Sequence, residues 1–363
     1  MSSKFHLIPV FTISSLLLSF ASLAQEFQSK VSDTYSSAYQ RLEEMLSGER
    51  SYNFKEAVLL TENAYLDNTL DSVQFNSKVH NIVKLVKGFI KSNELQYNFK
   101  DKEKVSQWAA IFKVLTDTIY YDVNRNRFAF LPYIYDFDDI FGDKNWSQMF
   151  VSKLLQTGSG NCHSLPYLYK IVAEELGTTA TLALAPNHIY IKHKCLKSGM
   201  YNTELTSASF PVDAWIMASG YIHLTAIQNG VYMKSLNNRE SIALCMIDLA
   251  EGYKRKVGNA DPAFIVKCCD KALEYFPNYV NAIILKAETI KGQREKLIKE
   301  NQTSSGDDNE KAKNLFIEMQ SLYVKVHKLG YRQMPKDMYL KWLIDLKTEK
   351  EKYYNKSVSS YNK

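Results

Sequence analysis

The stretch TGSGNCHSLPYLYK, Thr157 to Lys170, decides how this chain is read. Two glycines lead into Cys162, and directly behind it apolar residues recur at three- and four-residue steps as far as Leu176. That spacing predicts a helix over "SLPYLYKIVAEELG", stopped by Gly177. Glycine gives the backbone a sharp turn before the helix. The unpaired N–H groups of a helix start favour an anion, so a cysteine placed there is a candidate thiolate. A metal ligand and a small packed residue are the competing readings of Cys162.

Downstream, the periodicity changes. "TATLALAP", "HIYIKHKC" and "YNTELTS" read as three strands, with "LKSGM" as the hairpin loop between the last two. A cysteine-bearing helix followed by an antiparallel sheet predicts an α+β fold. His188 opens the second strand and Glu204 lies on the third, so an imidazole and a carboxylate can both face the thiol. The imidazole would serve as base and the carboxylate would orient it. Asp213 and Asn202 are alternatives for the orienting role. His163, His193 and Cys195 complete the nearby set of possible metal ligands. His188 and His193 fall on opposite faces of a regular strand, and no paired Cys-x-x-Cys spacing occurs, so the reading carries no metal site. Tyr190 and Trp215 read as core aromatics, and His163 and His223 as packing or first-turn residues.

These residues resemble the transglutaminase-like superfamily of cysteine enzymes, related in architecture to papain-like proteases. Members carry Gly-x-Cys at a helix start, a Leu-Gly helix end, a strand with the catalytic histidine, and an Asp-Pro-Thr triplet about sixteen residues later. This chain has Gly160-Asn161-Cys162, "EELGTTA", His188 and Glu204-Leu205-Thr206, over residues 152–215. The resemblance implies a Cys162–His188–Glu204 triad acting on amide or peptide bonds through a thioester, completed by water (a hydrolase) or by an amine (an acyltransferase). It also implies an oxyanion role for Gln156, six residues before the cysteine, as in papain-like enzymes. Glu204 and Leu205 depart from the usual aspartate and proline, and the extra methylene of Glu204 is expected to push its carboxylate outward. No cofactor is implied.

Around this core, residues 145–237, the chain reads as helical. "FKEAVLLTENAYL", "KVHNIVKLVKGFIK" and "EKVSQWAAIFKVLTDTIYY" carry a helical pattern to about Tyr121, and "RNRFAFLPYIYDFDDIFGDKNW" reads as a crossing loop with short extended pieces, within an N-terminal region 25–144. Residues 238–363 form a succession of helices. In it "KALEYFPNYVNAIILKA" resembles the junction between tetratricopeptide repeats, which stack into concave peptide-gripping surfaces. "NQTSSGDDNEK" reads as a surface loop and "NKSVSSYNK" as a frayed end. The helical share supports a second reading, a catalytically inactive scaffold for protein interaction.

Residues 1–24, with Lys4, the apolar "LIPVFTISSLLLSF" and "SLA" before Gln25, read as a signal peptide cleaved near Ala24, placing the mature chain in the periplasm or outside the cell. No further stretch is long and apolar enough for a membrane span. The net charge of +6 is spread along the chain and implies no nucleic acid. The implied partner is a peptide or protein substrate, presented by the C-terminal helices. Five cysteines leave at least one thiol unpaired, with Cys195 and Cys245 as a possible pair.

Overall fold

A computed structural model of the chain describes residues 31–300 and 306–359. The expected signal peptide lies outside the described residues. Four helices come first: α1 through 31–47, α2 (Phe54–Tyr65), α3 (Ser72–Ser92) and α4 (Lys102–Thr116). Asn53 and Asp71 cap α2 and α3 by accepting the N–H groups of Glu56 and Gln74. The helical pattern expected to reach Tyr121 breaks at Asp117. Beyond it, β-branched and aromatic residues form a hairpin, β1 (Ile119–Val123) on β2 (Asn126–Phe130). Asn124 and Arg125 at its tip both hold positive φ, as a two-residue hairpin turn requires.

Next come β3 (Ile134–Tyr135), a short 3₁₀ turn, α5 (Val151–Thr157), β4 (Ser159–Gly160) and α6 (Ser164–Glu175). Every residue of α6 from Ser164 to Ala173 is buried, and a helix apolar on all sides belongs in a core. It packs against α2, α3, α4 and α5, with the sheet of β5 (Thr181–Ala185), β6 (His188–Cys195) and β7 (Gly199–Thr203) beside it. That sheet is antiparallel in the order β5-β6-β7, as the three strand-type runs predict. Gly177, at φ +77°, ends the helix where expected.

After α7 (Asp213–Ser219) and α8 (Leu224–Gln228), the helices α9 (Asn238–Lys256), α10 (Pro262–Tyr275), α11 (Val280–Glu300) and α12 (Gly306–Lys328) pack in chain order. A capping box between Asn237 and Glu240 starts α9, which also lies on α2. Residues 306–311, expected in a loop, are the first turns of α12. Then α13 (Lys336–Thr348), α14 (Lys350–Tyr353) and α15 (Lys356–Ser359) fold back toward the sheet. The expected fraying is not found at Val358, which is buried. The fold is therefore mixed α+β, mostly helical, with sheets of two or three strands. Among the described residues no helix is long and apolar enough to cross a membrane. All five cysteines are free and buried, so Cys195 and Cys245 do not pair.

The loop before Cys162 is pinned from several sides. The buried carboxylate of Glu62, on α2, accepts the N–H groups of Val151 (2.6 Å) and Ser152 (2.9 Å) at the start of α5. Burial raises the Glu62 carboxyl to about 7, against the pull of those bonds. Gly158 leaves α5 in the left-handed region at φ +73°. Gly160 then pairs with Tyr135, and a Cβ there would stand 2.5 Å from Ser164 Oγ and 2.7 Å from Leu154 Cδ1. Gly160→Ala is expected to destabilise the fold by about 1–3 kcal/mol, the range for overpacking a filled interior, readable as a lower urea midpoint. An unchanged midpoint would show that the loop yields freely.

Candidate active site

Cys162 is delivered by the start of α6, whose first turn is satisfied from within. Asn161 Oδ1 accepts the N–H groups of His163 (3.0 Å) and Ser164 (3.2 Å). Among the described residues the N–H of Cys162 takes no such partner. The thiol is 5% exposed.

His188 follows a two-residue turn, Pro186-Asn187, in which Asn187 holds φ +57°. Proline first and left-handed asparagine second is the pattern of a type II turn. The last pair of β6 and β7 is Ile191–Thr203. Continuing that register sets Glu204 opposite Tyr190 and diagonal to His188. A diagonal neighbour lies about 7–8 Å away, within reach of a long side chain. The extra methylene of Glu204, expected to push the carboxylate outward, is what spans the diagonal. His188 Nε2 meets Glu204 Oε2 at 2.6 Å, and Glu204 Oε1 accepts the Thr206 N–H at 2.8 Å.

The other imidazole nitrogen faces the thiol. His188 Nδ1 lies 3.0 Å from the Tyr339 hydroxyl, and that hydroxyl donates to Cys162 Sγ at 3.1 Å. Burial works to strip the His188 proton, but the Glu204 charge, with hydrogen bonds to Cys162 and Glu204, holds it on up to about 10. Burial likewise opposes the Cys162 thiolate. The hydrogen bond and charge of His188, together with the Tyr339 hydroxyl, prevail and hold the thiol below its ordinary value. The other shifted thiols, Cys245, Cys268 and Cys269, are all pushed up, first by burial.

A second histidine stands beside the sulfur. His163 Nδ1 lies 2.9 Å from the Met149 carbonyl and Nε2 lies 3.1 Å from Asp248 Oδ1, on α9. Both neighbours are acceptors, an arrangement that favours the doubly protonated ring. Although burial opposes this charge, Asp248 above all raises the proton affinity of His163. His163, expected as a polar first-turn residue, meets an acid 85 positions away on α9, a contact with no local signature.

The other expectations fall as follows. Gln156 is exposed and lines a separate surface cleft with Leu66, Phe75 and Phe150. The left-handed turn at Gly158 separates it from the thiol, so its oxyanion role is not supported. The Tyr135 hydroxyl lies there instead, buried against the Cys162 sulfur and the Tyr339 hydroxyl without meeting hydrogen-bond geometry to either. Asp213 pairs with Lys192 and Asn202, and Asn202 also donates to the Pro211 carbonyl, so neither alternative touches His188. His193 faces the other side of the sheet, stacked on Trp108, and burial lowers it to about 3. Tyr190 is buried, Trp215 stacks on Trp342, and His223 caps α8. Among the described residues no group of three or more His, Cys, Asp or Glu could hold a metal ion.

One side of Cys162 opens into a cavity of about 370 Å³ that His163, Asn187, His188, Asp248 and residues of α11 also line. The other side is filled by the small cluster of Ile140, Met334, Tyr339, Trp342, Leu343, Leu346 and Tyr353. No protein-family model, no curated protein and no solved structure matches this chain.

Two substitutions probe these charges. Glu204→Gln removes the anion that holds the His188 proton, so the imidazole titration should fall from about 10 toward the ordinary 6.5. Imidazole NMR reads this directly, and an unmoved titration would remove Glu204 from the site. Asp248→Asn removes the group that most raises the proton affinity of His163 and should raise the Cys162 midpoint in pH-resolved alkylation; an unchanged midpoint would leave His163 without effect on the thiol.

Proposed function

We propose that this chain is a transglutaminase-like thiol enzyme acting on amide bonds, exported by its N-terminal segment. The reading is carried by one observation: a thiol, an imidazole and a carboxylate in series, with Nε2 on Glu204 and Nδ1 turned to the sulfur side. Cys162 Sγ, as thiolate, attacks the carbonyl carbon and a C–S bond forms. The oxyanion receives hydrogen bonds from the Cys162 N–H and the Tyr135 hydroxyl. The C–N bond then breaks as His188 Nδ1 gives its proton to the departing amine, leaving a thioester. An incoming water or amine loses a proton to His188 and attacks the same carbon, and the C–S bond breaks to restore the thiolate. Glu204 holds the ring and balances its charge throughout, as the third member of a triad does.

The test is formation of a hydroxamate from a glutamine-containing peptide and hydroxylamine, followed by mass spectrometry. Cys162→Ala and His188→Ala should each abolish it with the circular dichroism spectrum retained. Tyr135→Phe should lower it by about 10²-fold, the usual cost of one oxyanion donor. Activity surviving in Cys162→Ala would end this reading. The burial of the thiol favours a second one, an inactive scaffold whose stacked helices grip a partner polypeptide. On that reading all three variants behave as the parent chain does.

A further inference from the structure

The β1–β2 hairpin is anchored to the main core at its root, through Ile119 and Phe130. Toward the tip its apolar residues come out into solvent: Tyr121 is 36% exposed, Val123 46% and Phe128 47%. The register pairs Tyr121 with Phe128, so the two rings share one face of the ribbon and stack on each other, centroids 5.9 Å apart. Tyr120, 62% exposed, stands on the opposite face under the Arg127 guanidinium. Among the described residues no third strand joins this ribbon. Two strands alone are marginally stable in water, and a cluster of exposed apolar residues marks a contact surface.

Beside the hairpin lies a basic helix. Between Ser72 and Ser92, α3 carries four lysines and no acidic residue. Lys84, Lys87 and Lys91 fall at i, i+3 and i+7 and so form one stripe of the helix. All three are exposed, and none has an ion pair among the described residues. A cleft of about 950 Å³ runs between the two elements, lined by Ile82, Leu85 and Phe89 of α3, by Ile119, Tyr121 and Val123 of β1, and by Lys84. The hairpin adds Arg125 and Arg127, so the four lysines and two arginines of these elements face one acid, Asp122.

We propose that the hairpin and the lysine stripe of α3 together dock this chain on an anionic lipid bilayer, the hairpin tip among the upper acyl segments and the lysines on the headgroups. Two features select that partner. The charge is almost all of one sign, which is what an anionic surface attracts. The apolar residues also point both ways from the ribbon, which suits a medium that surrounds the tip rather than a surface that covers one side. Tyrosine beside lysine and arginine is the composition of a membrane–water interface. Each strand has five residues, whereas a spanning strand needs about 9–11, so the contact stays in the interface. The proposal is independent of the thiol chemistry.

The experiment is sedimentation of the chain with vesicles of phosphatidylcholine, either pure or mixed equally with phosphatidylglycerol, over a series of salt concentrations. The parent should bind the mixed vesicles far more strongly, and binding should weaken as salt screens the lysines. Two variants, Lys84→Glu/Lys87→Glu/Lys91→Glu and Tyr121→Ser/Val123→Ser/Phe128→Ser, change exposed residues and should keep the circular dichroism of the parent. Each should lower the partition coefficient, the first by about 10²-fold or more, at roughly fivefold per lysine beside an anionic surface. The indole of a Phe128→Trp variant should be quenched by brominated acyl chains beyond the parent's signal. All variants share the parent's N-terminus, so their differences report on this surface. Absence of binding, indifference to phosphatidylglycerol, an unquenched indole, or binding unchanged in either variant overturns the proposal. So does capture of poly-glutamate by a chain that ignores vesicles, which would make the stripe a site for an acidic polypeptide.

Discussion

Everything in this site follows from a carboxylate buried against an imidazole. Glu204 and His188 are each 3% exposed, and a lone charge in such surroundings is too costly to persist. Paired at 2.6 Å they satisfy one another, and the ring, when it carries both protons, turns Nδ1 away from the carboxylate as a donor. That donor needs an acceptor in turn, which it finds in the Tyr339 hydroxyl, and the hydroxyl's own proton needs the sulfur. One buried anion thus favours the doubly protonated ring that aligns the donors from Glu204 toward Cys162, while the thiol, when protonated, has the Asn187 carbonyl at 3.6 Å as its own acceptor. The direction is the one a thiolate–imidazolium pair requires.

The helical flanks are part of this electrostatic arrangement. Asp248 belongs to α9, yet its carboxylate accepts from His163 and from the Tyr167 hydroxyl on α6. The sulfur therefore sits between two histidine rings, one paired with a carboxylate from the sheet and one with a carboxylate from α9. Glu62, from α2, fixes the start of α5 in the same way, through a buried carboxylate on backbone N–H groups. Three elements distant in sequence each contribute one acid, which ties the placement of Cys162 to the packing of the whole chain.

What could be read in the sequence was local. The helix behind Cys162, its stop at Gly177, the three strands and the opposite facing of His188 and His193 all follow from periodicities of 3.6 and 2. Glu204 was found by its separation from His188, though its methylene was misjudged, because diagonal reach depends on a strand register that the sequence does not print. For Gln156, six residues carry a side chain to the thiol only if no turn intervenes, and the left-handed Gly158 lies between them. Tyr339 and the Asp248 charge on His163 left no local trace at all. Both are contacts between remote elements, and the pattern of α13 alone says only that one face is apolar. The β1–β2 hairpin was hidden by Ile119, Tyr120 and Tyr121, which prolong an apolar spacing past the helix end.

The Tyr339 hydroxyl between the two groups also answers a chemical problem. A thiolate of lowered proton affinity is the form that oxidants attack, and an exposed one is open to conversion to sulfenic acid or a mixed disulfide. Tyr339 gives the sulfur a hydrogen bond and the imidazole an acceptor, so the charge-separated pair is solvated by protein rather than by water.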